Sequence, residues 1–277
     1  MDERLQRRVQ RYGWDLAAAD YERLWQAQLG AAQAALLARV APRPGERVVD
    51  VACGTGLVAL AAAAAVGAAG SVVGVDLSDA MVEAAQRRAG ERGIAHASFV
   101  RMDAEALVLA DASVDVALCA LGLMYLPDPA EAVRELHRVV RPGGRVGLLV
   151  WGERSRCGWA SVFPIVDAEV TSEVCPLFFR LGPADALARL CRDAGFAAVE
   201  QERIEATLVY DDAEAACDAA LVGGPVALAW SRFDVATRAR VRARYLDTLA
   251  SWRTPRGGYR VPGEFVVVVA ARADHAA

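Results

Sequence analysis

The sequence predicts a single α/β domain built around a mostly parallel, doubly wound sheet, and three observations lead to this fold class. From residue 47 onward, short apolar segments rich in β-branched residues alternate with segments of helical composition. Repeated strand–helix units of this kind imply parallel strands joined by right-handed crossovers. With 277 residues and 55 % hydrophobic composition, the chain also has enough apolar surface for one large core.

The first strand–helix unit has the composition of a ligand-binding turn. Residues 47–52 predict a buried strand, and residues 57–66, mostly alanine and leucine, predict a helix. Between them, Gly54 and Gly56 favour a tight turn that a ligand can approach closely. A helix that starts directly after such a turn presents free backbone N–H groups, which suit a nucleotide or another polar ligand.

The second unit ends in an acidic residue. Residues 71–76 predict another apolar strand, whose last residue, Asp76, lies 20 residues after Gly56. This spacing is expected of a carboxylate that accepts hydrogen bonds from ribose hydroxyls. With Ala59 in third place the turn also satisfies the loose dinucleotide pattern, so a nicotinamide-dependent oxidoreductase stays open as an alternative.

The rest of the chain continues the alternation and then departs from it. Further strands are predicted at residues 97–102, 113–120, 145–151, 199–210 and 263–272, and further helices at 15–40, 78–92, 128–140, 183–194 and, as a pair, within 211–249. Asp15 is predicted to cap the first helix, and Gly13 makes the segment before it mobile, so Tyr12 and Trp14 belong either to a packed flank or to a flap over the ligand. Because no linker interrupts the chain, we expect one domain over residues 1–277. The N-terminal helices, residues 1–42, and two insertions, residues 152–182 and 211–258, would form a cap over the active site.

Composition excludes several classes of protein. The net charge is −4 without a basic block, which gives nucleic-acid binding no electrostatic support. No uncharged apolar run is long enough to span a membrane, and no signal peptide is evident, so we expect a cytoplasmic protein. The six cysteines include no C-x-x-C pair, so we expect buried thiols and no metal site. All 31 basic residues are arginine, which excludes Schiff-base lysines and the Tyr-x-x-x-Lys pair of dehydrogenases.

Four motifs in order resemble those of the class I S-adenosylmethionine-dependent methyltransferases. They are the Val-Asp-Val-Ala-Cys-Gly-Thr-Gly run at 49–56, the Gly-Val-Asp-Leu-Ser run at 74–78, the Met-Asp-Ala run at 102–104 and the Arg-Val-Val-Arg-Pro-Gly-Gly run at 138–144. The branch most similar is the small-molecule group that includes the quinone-biosynthesis C-methyltransferases. Ala52 departs from the glycine of many members. The resemblance implies a seven-stranded sheet whose last strand is antiparallel.

The resemblance also implies a cofactor, S-adenosyl-L-methionine, and the residues that bind it. Asp50 would hold the amino end of the methionine moiety, Asp76 the ribose hydroxyls and Asp103 the adenine amino group. The other cofactor-binding residues implied are Ala52, Cys53, Gly54, Gly56, Leu77, Met81, Ala104, Cys119, Ala120, Leu121 and Tyr12.

The partner expected is a small-molecule acceptor, and no catalytic base can be named. The methyl group is activated by its sulfonium, so catalysis needs alignment and exclusion of water. His96, His137 and His275 all lie in unsuitable segments. The insertion after residue 151 combines aromatic residues with arginines, which suits an aromatic or acidic metabolite. The substrate-binding candidates are Tyr12, Trp14, Tyr125, Arg154, Arg156, Trp159 and Arg180.

Two further alternatives remain besides the oxidoreductase. A non-catalytic protein of the same fold would bind the cofactor without turnover. An arsenite methyltransferase would require converging thiolates, for which Cys157 and Cys175 are the candidates, although their spacing matches no metal signature. The motifs leave open whether oxygen, nitrogen, carbon or sulfur receives the methyl group, and they leave the oligomeric state open.

Overall fold

A computed structural model describes residues 3–170, 175 and 177–274, and its centre is a seven-stranded sheet. The strand order is β3-β2-β1-β4-β5-β7-β6. The pairings among β1 to β5 are parallel, and β7 pairs antiparallel with both β5 and β6. This arrangement confirms the predicted fold class, including the antiparallel last strand.

The strands are β1 Arg47–Val51, β2 Ser71–Asp76, β3 Ala97–Arg101, β4 Val114–Ala120, β5 Val140–Trp151, β6 Ala197–Tyr210 and β7 Tyr259–Ala271. The helices are α1 Glu3–Val40, α2 Leu57–Val66, α3 Asp79–Glu91, α4 Pro129–Val139, α5 Val162–Asp167, α6 Ala186–Asp193, α7 Ala213–Leu221, α8 Ala227–Arg232 and α9 Val235–Leu249. Short 3₁₀ turns lie at Leu123–Tyr125, Arg154–Arg156, Gly158–Ser161 and Ala250–Trp252.

The central strands are buried because helices cover both faces of the sheet. Four of the five residues of β1 are buried, and so are five of the seven of β4, as expected of parallel strands with near-continuous apolar runs. Parallel pairing aligns Asp50 of β1 with Gly74 of β2. The carboxyl ends of β1, β2 and β4 therefore meet at one edge, where ligands bind in such sheets.

The N-terminal segment differs from the prediction. One helix, α1, runs without a break from Glu3 to Val40, so Asp15 caps nothing and Gly13 lies inside the helix. A Cβ atom on Gly13 would lie 3.7 Å from the Cβ of Leu228 in α8, so this face of α1 packs against another helix. An interior glycine costs a helix about 1 kcal/mol relative to alanine, which tertiary packing readily offsets.

The far end of α1 packs on the sheet through a regular apolar face. Leu29, Ala32, Leu36 and Val40 are buried at spacings of three and four residues. Gly147 of β5 allows this contact, because a Cβ atom there would lie 2.1 Å from a methyl carbon of Val40. The start of α1 thus projects toward the sheet edge, while its end is anchored to the core.

Two later segments also differ from the prediction. The region predicted as two helices contains three, α7, α8 and α9. Strand β7 begins at Tyr259, four residues before the predicted start, because the longer β6 pairs with it up to Tyr210. In the described part of the chain, no helix is long and apolar enough to cross a membrane.

Candidate active site

The turn between β1 and α2 contains three residues with left-handed backbone conformations. Ala52, Gly54 and Gly56 all have positive φ angles, of 56°, 54° and 83°. A Cβ atom on Gly54 would have no heavy atom within 4 Å, whereas one on Gly56 would lie 3.1 Å from Ala85 and 3.3 Å from Phe99. Gly54 therefore faces open space, and Gly56 is required for packing against α3 and β3.

Asp76 is tied to this turn by backbone hydrogen bonds. The N–H of Gly54 donates to its Oδ2 at 2.9 Å, and the N–H of Ser78 donates to its Oδ1 at 2.9 Å. Burial raises the pKa of the Asp76 carboxyl, while these backbone donors and the N–H of Leu77 oppose the rise. The carboxylate thus braces the glycine turn and presents its remaining acceptor positions to the sheet edge.

A cavity, here the edge cavity, opens in front of these residues. It holds about 790 Å³ of empty space, part of it open to solvent. The sheet edge contributes Ala52, Gly54, Asp76, Leu77, Asp103, Ala104, Ala120 and Leu121 to its lining. Helix α1 contributes Arg7, Gln10, Arg11, Trp14 and Tyr21. The loop after β4 contributes Gly122, Tyr125, Leu126 and Pro127, so the cavity lies between the sheet edge, this loop and α1.

A smaller space, the turn cavity, also adjoins the glycine turn and shares Ala52 and Gly54 with the edge cavity. It holds about 290 Å³ of empty space, part of it open to solvent, and is lined by Asp50, Thr55, Gln33 and Tyr21, among others. Asp50 is 1 % exposed, and neither of its carboxylate oxygens has a hydrogen-bond partner within the described residues. Burial raises the pKa of Asp50 to about 8, with a smaller contribution from Asp76. The backbone N–H of Ala59 lies near enough to oppose this rise, although it forms no hydrogen bond with the carboxylate. A buried acid without a partner is costly and indicates a site for a donor or cation.

A third space, the aromatic chamber, adjoins the edge cavity. It holds about 310 Å³ of empty space, part of it open to solvent, and shares Trp14, Tyr21, Leu121 and Tyr125 with the edge cavity. Its other aromatic residues are Trp25, Trp151 and Trp159. Tyr21 lines all three spaces, so they meet around this side chain.

Helix α1 is attached to the site by polar contacts to three different elements. Near its start, Arg7 forms ion pairs with Asp103, at 3.1 Å, and with Glu105. One of the oxygens of Asp15 accepts a hydrogen bond from the hydroxyl of Ser78, at 2.6 Å, beside Asp76.

Farther along the helix, Glu22 pairs with the buried Arg88 at 2.5 Å. Arg88 in turn donates to the carbonyl of Thr55 in the glycine turn at 3.0 Å. Each contact joins α1 to an element that also forms the edge or turn cavity.

Comparisons with known proteins agree with this geometry. The family described as "Methyltransferase domain" matches residues 48–144. A demethylmenaquinone methyltransferase from Geobacillus kaustophilus is 29 % identical over 60 % of this chain and 76 % of its own length. An uncharacterized 37.1 kDa protein in transposon Tn4556 of Streptomyces fradiae is 39 % identical over 63 % of this chain, and the match spans only about half, 49 %, of that relative.

The solved structures agree with the fold. Phosphoethanolamine N-methyltransferase 2 from Haemonchus contortus, in complex with S-adenosyl-L-methionine, superimposes with a TM-score of 0.60 at 16 % identity, over 94 % of this chain and 57 % of that one.

Residues 48–144 thus match a methyltransferase domain, and the sequence is similar to class I S-adenosylmethionine-dependent methyltransferases. The match to the demethylmenaquinone enzyme confirms the resemblance to the quinone-biosynthesis-like branch. The departure at Ala52 has a structural counterpart, because a Cβ atom on Gly122 would lie 2.4 Å from the Cβ of Ala52. The extra methyl group in the glycine turn is thus accommodated by a glycine on the facing loop.

Most of the residues that the family resemblance predicts to bind the cofactor lie around the cavities. Those lining the edge cavity are Ala52, Gly54, Asp76, Leu77, Met81, Asp103, Ala104, Ala120 and Leu121, and those lining the turn cavity include Asp50 and Cys53. Cys119 is fully buried within β4 and lines none of the three spaces. Gly56 serves packing, as described above.

The substrate-binding candidates divide into two groups. Trp14, Tyr125 and Trp159 line the aromatic chamber. Tyr12 does not reach any of the three spaces, because its position on the continuous helix α1 turns it outward, 47 % exposed and beneath the guanidinium of Arg11.

The positions of the three arginine candidates also differ from the prediction that they bind substrate. Arg154 and Arg156 are exposed, and Arg156 lies 3.5 Å from Glu264 and 3.6 Å from Glu205, outside the three spaces. Arg180 donates to the backbone carbonyls of Leu126 and Pro127, so it supports the wall of the edge cavity from behind. None of the three arginines lines the edge cavity, the turn cavity or the aromatic chamber.

The sequence did not predict several residues of helix α1 that line the edge cavity. Arg7, Gln10 and Tyr21 line the edge cavity, and Arg7 also contacts the buried Glu105, which accepts a hydrogen bond from the N–H of Asp128. A signal for part of this set was present, since Trp14, Tyr21 and Trp25 recur at seven and four residues, on one face of a helix.

The remaining candidates for chemistry lie elsewhere. His96 bonds to the carbonyl of Ala63, and the ring of His137 packs on Phe196, while His275 lies outside the described residues. Cys157 contacts the carbonyl of Glu264 and Cys175 that of Pro225, so their thiols bond to different elements. Among residues 3–170, 175 and 177–274, no three His, Cys, Asp or Glu side chains form a metal-binding group.

Proposed function

We propose that this chain transfers the methyl group of S-adenosylmethionine to a small-molecule acceptor with an aromatic body. The observation that carries the proposal is the glycine turn of the edge cavity, where open space at Gly54 lies next to a half-buried carboxylate, Asp76, hydrogen-bonded to the Gly54 N–H. S-adenosylmethionine, when bound, supplies a methyl group already activated by the positive charge of a sulfonium.

The residues present fit such a cofactor at both ends. Asp76 can accept hydrogen bonds from ribose hydroxyls. Asp103, beside Ala104 in the same cavity wall, can accept a hydrogen bond from an adenine amino group. The unpartnered carboxyl of Asp50 suits the cationic amino group of the methionine part. In this assignment, each of these three acids serves a different polar group of the cofactor.

The contribution of the chain to the reaction is positioning and exclusion of water. Residues 3–40 of α1, together with Trp159 of the first insertion and Gly224 and Pro225 of the second, would form the cap. Aromatic faces at Trp14, Tyr21 and Tyr125 suit a cation held at the junction of the three spaces. Burial raises the pKa of Tyr21 and of Tyr125, so both hydroxyls stay protonated near neutral pH and act as donors, not as bases.

The test is a comparison of ligands on the purified protein. Calorimetry should detect binding of S-adenosylhomocysteine and of sinefungin, and none of NADH or NADPH. Tight binding of a nicotinamide cofactor alone would support the oxidoreductase instead. Transfer of a labelled methyl group to an acceptor then separates the enzyme from a non-catalytic binding protein of the same fold.

A further inference from the structure

Two tryptophans in the wall of the aromatic chamber each carry a buried hydrogen-bond donor without a partner in the described part of the chain. Trp25 is 4 % exposed and Trp159 is 1 % exposed. Neither indole nitrogen has a hydrogen-bond partner within the described residues. Both side chains line the chamber, and their ring centroids are 5.9 Å apart. The two unpaired donors therefore belong to adjacent rings in the wall of one cavity.

Such donors are costly unless something accepts from them. A buried N–H without a partner destabilises a folded protein, and buried indole N–H groups usually find an acceptor. The rest of the Trp159 ring is fully packed, in contact with Trp151, Phe163, Phe178 and Phe179. Packing thus explains why the two rings are buried, but it does not explain the two buried N–H groups.

The lining described for the chamber carries no formal charge. It consists of aromatic residues, Leu29, Leu121, Met124, Gly224 and Pro225. Its two hydroxyls, on Tyr21 and Tyr125, have pKa values raised by burial and remain neutral. A carboxylate entering this space would lose its hydration without gaining a cationic partner, which is strongly unfavourable. Aromatic walls in edge-to-face contact, such as Trp14 and Tyr125 at 5.0 Å, favour a flat ring as guest.

We infer that Trp25 and Trp159 determine the specificity of this chamber, and that they select an uncharged aromatic compound bearing an oxygen that accepts hydrogen bonds. The two indole N–H groups bind that oxygen, and the surrounding rings bind the apolar body. The inference rests on the proposed function, because the chamber is the acceptor site only if the adjoining edge cavity binds the cofactor. It narrows the acceptor from aromatic or acidic to aromatic and uncharged.

The experiment uses three probes of nearly equal shape on the full chain saturated with S-adenosylhomocysteine. In 2-acetylnaphthalene a carbonyl oxygen can accept, in 2-isopropenylnaphthalene a CH₂ group replaces that oxygen, and 2-naphthoate carries a charge. Calorimetry should show the ketone binding at least about tenfold tighter than either of the others, because sites built to hydrogen-bond a ligand reject analogues that lack the polar atom.

Variants test the two donors. Trp25→Phe and Trp159→Phe should each lower the preference for ketone over alkene by about threefold or more. Trp230→Phe is the matched control, since Trp230 is 9 % exposed, packs against Phe233 and lies outside the lining of the three spaces. It should keep the full preference.

A measurement without substitutions covers the case in which a variant does not fold. Uniform ¹⁵N labelling gives one indole N–H signal for each of the six tryptophans. Two of these signals should shift downfield on addition of the ketone and not on addition of the alkene. Unchanged indole signals, equal binding of ketone and alkene, or tightest binding of the naphthoate would overturn the inference.

The inference and the proposed function can fail separately. Absence of S-adenosylhomocysteine binding refutes the proposed function, and with it the assignment of the chamber as the acceptor site. Normal S-adenosylhomocysteine binding without any preference among the probes refutes only the role of the two tryptophans.

Discussion

The candidate site has two halves, and they are held together in different ways. The lower half, the glycine turn with Asp76, is closed by hydrogen bonds between residues close in sequence, such as Gly54 to Asp76, 22 positions apart. The upper half, α1 and the insertions, is held by contacts that span far more of the chain, such as Arg7 to Glu105 and Arg180 to Leu126.

The chemistry of the two halves differs too. The lower half supplies buried carboxylates, and the upper half supplies arginines and aromatic rings. The difference teaches that the lower half is specified by local sequence, whereas the upper half depends on how distant segments pack. Substitutions in the lower half should therefore act on cofactor binding, and those in the upper half on closure and acceptor choice.

The largest effect is expected from filling the open space at the glycine turn. Gly54→Leu should raise the Kd for S-adenosylhomocysteine by about 100-fold or more, equivalent to roughly 2.7 kcal/mol, because the side chain enters the edge cavity. The cost to folding should stay at about 1–2 kcal/mol for a left-handed residue, and Leu121 already adopts a φ of 64° in this chain. Calorimetry and thermal unfolding measure the two quantities.

The matched control is Gly56→Leu, two residues further on. Its side chain would meet Ala85 and Phe99 and not the cavity, so stability should fall more than in the first variant. If both variants lose stability equally and Gly54→Leu still binds, the lower half is a packing feature and not a cofactor site.

Removal of the ribose acid should have the next largest effect. Asp76→Ala should weaken S-adenosylhomocysteine binding by on the order of 2 kcal/mol or more, about 30-fold, because charge-assisted hydrogen bonds to the ligand are lost. Loss of the acceptor for the Gly54 N–H adds to this effect. Asp79→Ala, which removes an exposed acid paired with Arg101, is the control and should bind normally. Equal affinities of the two variants would contradict the assignment of Asp76.

Asp50 should make cofactor binding release a proton. Its pKa of about 8 keeps it largely protonated at pH 7, and a cationic amino group placed beside it lowers that pKa. Calorimetry of S-adenosylhomocysteine at pH 7 in two buffers of different ionisation enthalpy should show the release, and Asp50→Asn should abolish it. Buffer-independent heats for the unmodified protein would place the amino group elsewhere.

The same carboxyl should make stability depend on pH. Because its folded-state pKa, about 8, lies above the ordinary value of 3.8, the stabilising contribution is complete below about pH 4 and is lost as the pH rises toward 8. Asp76, whose pKa burial also raises, acts in the same direction. Denaturant unfolding of Asp50→Asn should lose less stability than the unmodified chain between pH 5 and about pH 8. A steeper loss in the variant would contradict this role of burial.

The smallest effect is expected from the start of α1. Arg7→Ala removes half-buried ion pairs to Asp103 and Glu105, contacts of a kind usually worth about 1 kcal/mol or less. Dissociation of S-adenosylhomocysteine should therefore become only about two- to fivefold faster, measured by stopped flow. The exposed Arg8 is the control on the same helix, and Arg8→Ala should leave the rate unchanged. A slower release in Arg7→Ala would mean that Arg7 competes with the ligand for Asp103.

The sequence by itself determined the parts of this protein whose chemistry is local. Strands β1 to β5 and the positions of Asp50, Gly54, Asp76 and Asp103 follow from apolar periodicity and from motif residues close together in the chain. The antiparallel direction of β7 is what the family resemblance implies. Glycines at positive φ and acids at strand ends are required by geometry that extends over only a few residues, so their meaning can be predicted without the rest of the fold.

Only the tertiary structure decided what faces those residues. Nothing near Gly13 predicts that α1 stays continuous, because the cost of the glycine is offset by contacts with residues more than 200 positions away. That continuity turns Tyr12 outward and brings Tyr21 to the junction of the three spaces. Likewise, the pairing of Trp25 with Trp159 depends on packing between α1 and the insertion. Long-range packing sets the direction of these side chains, since local propensity defines a helix but not which of its faces is buried.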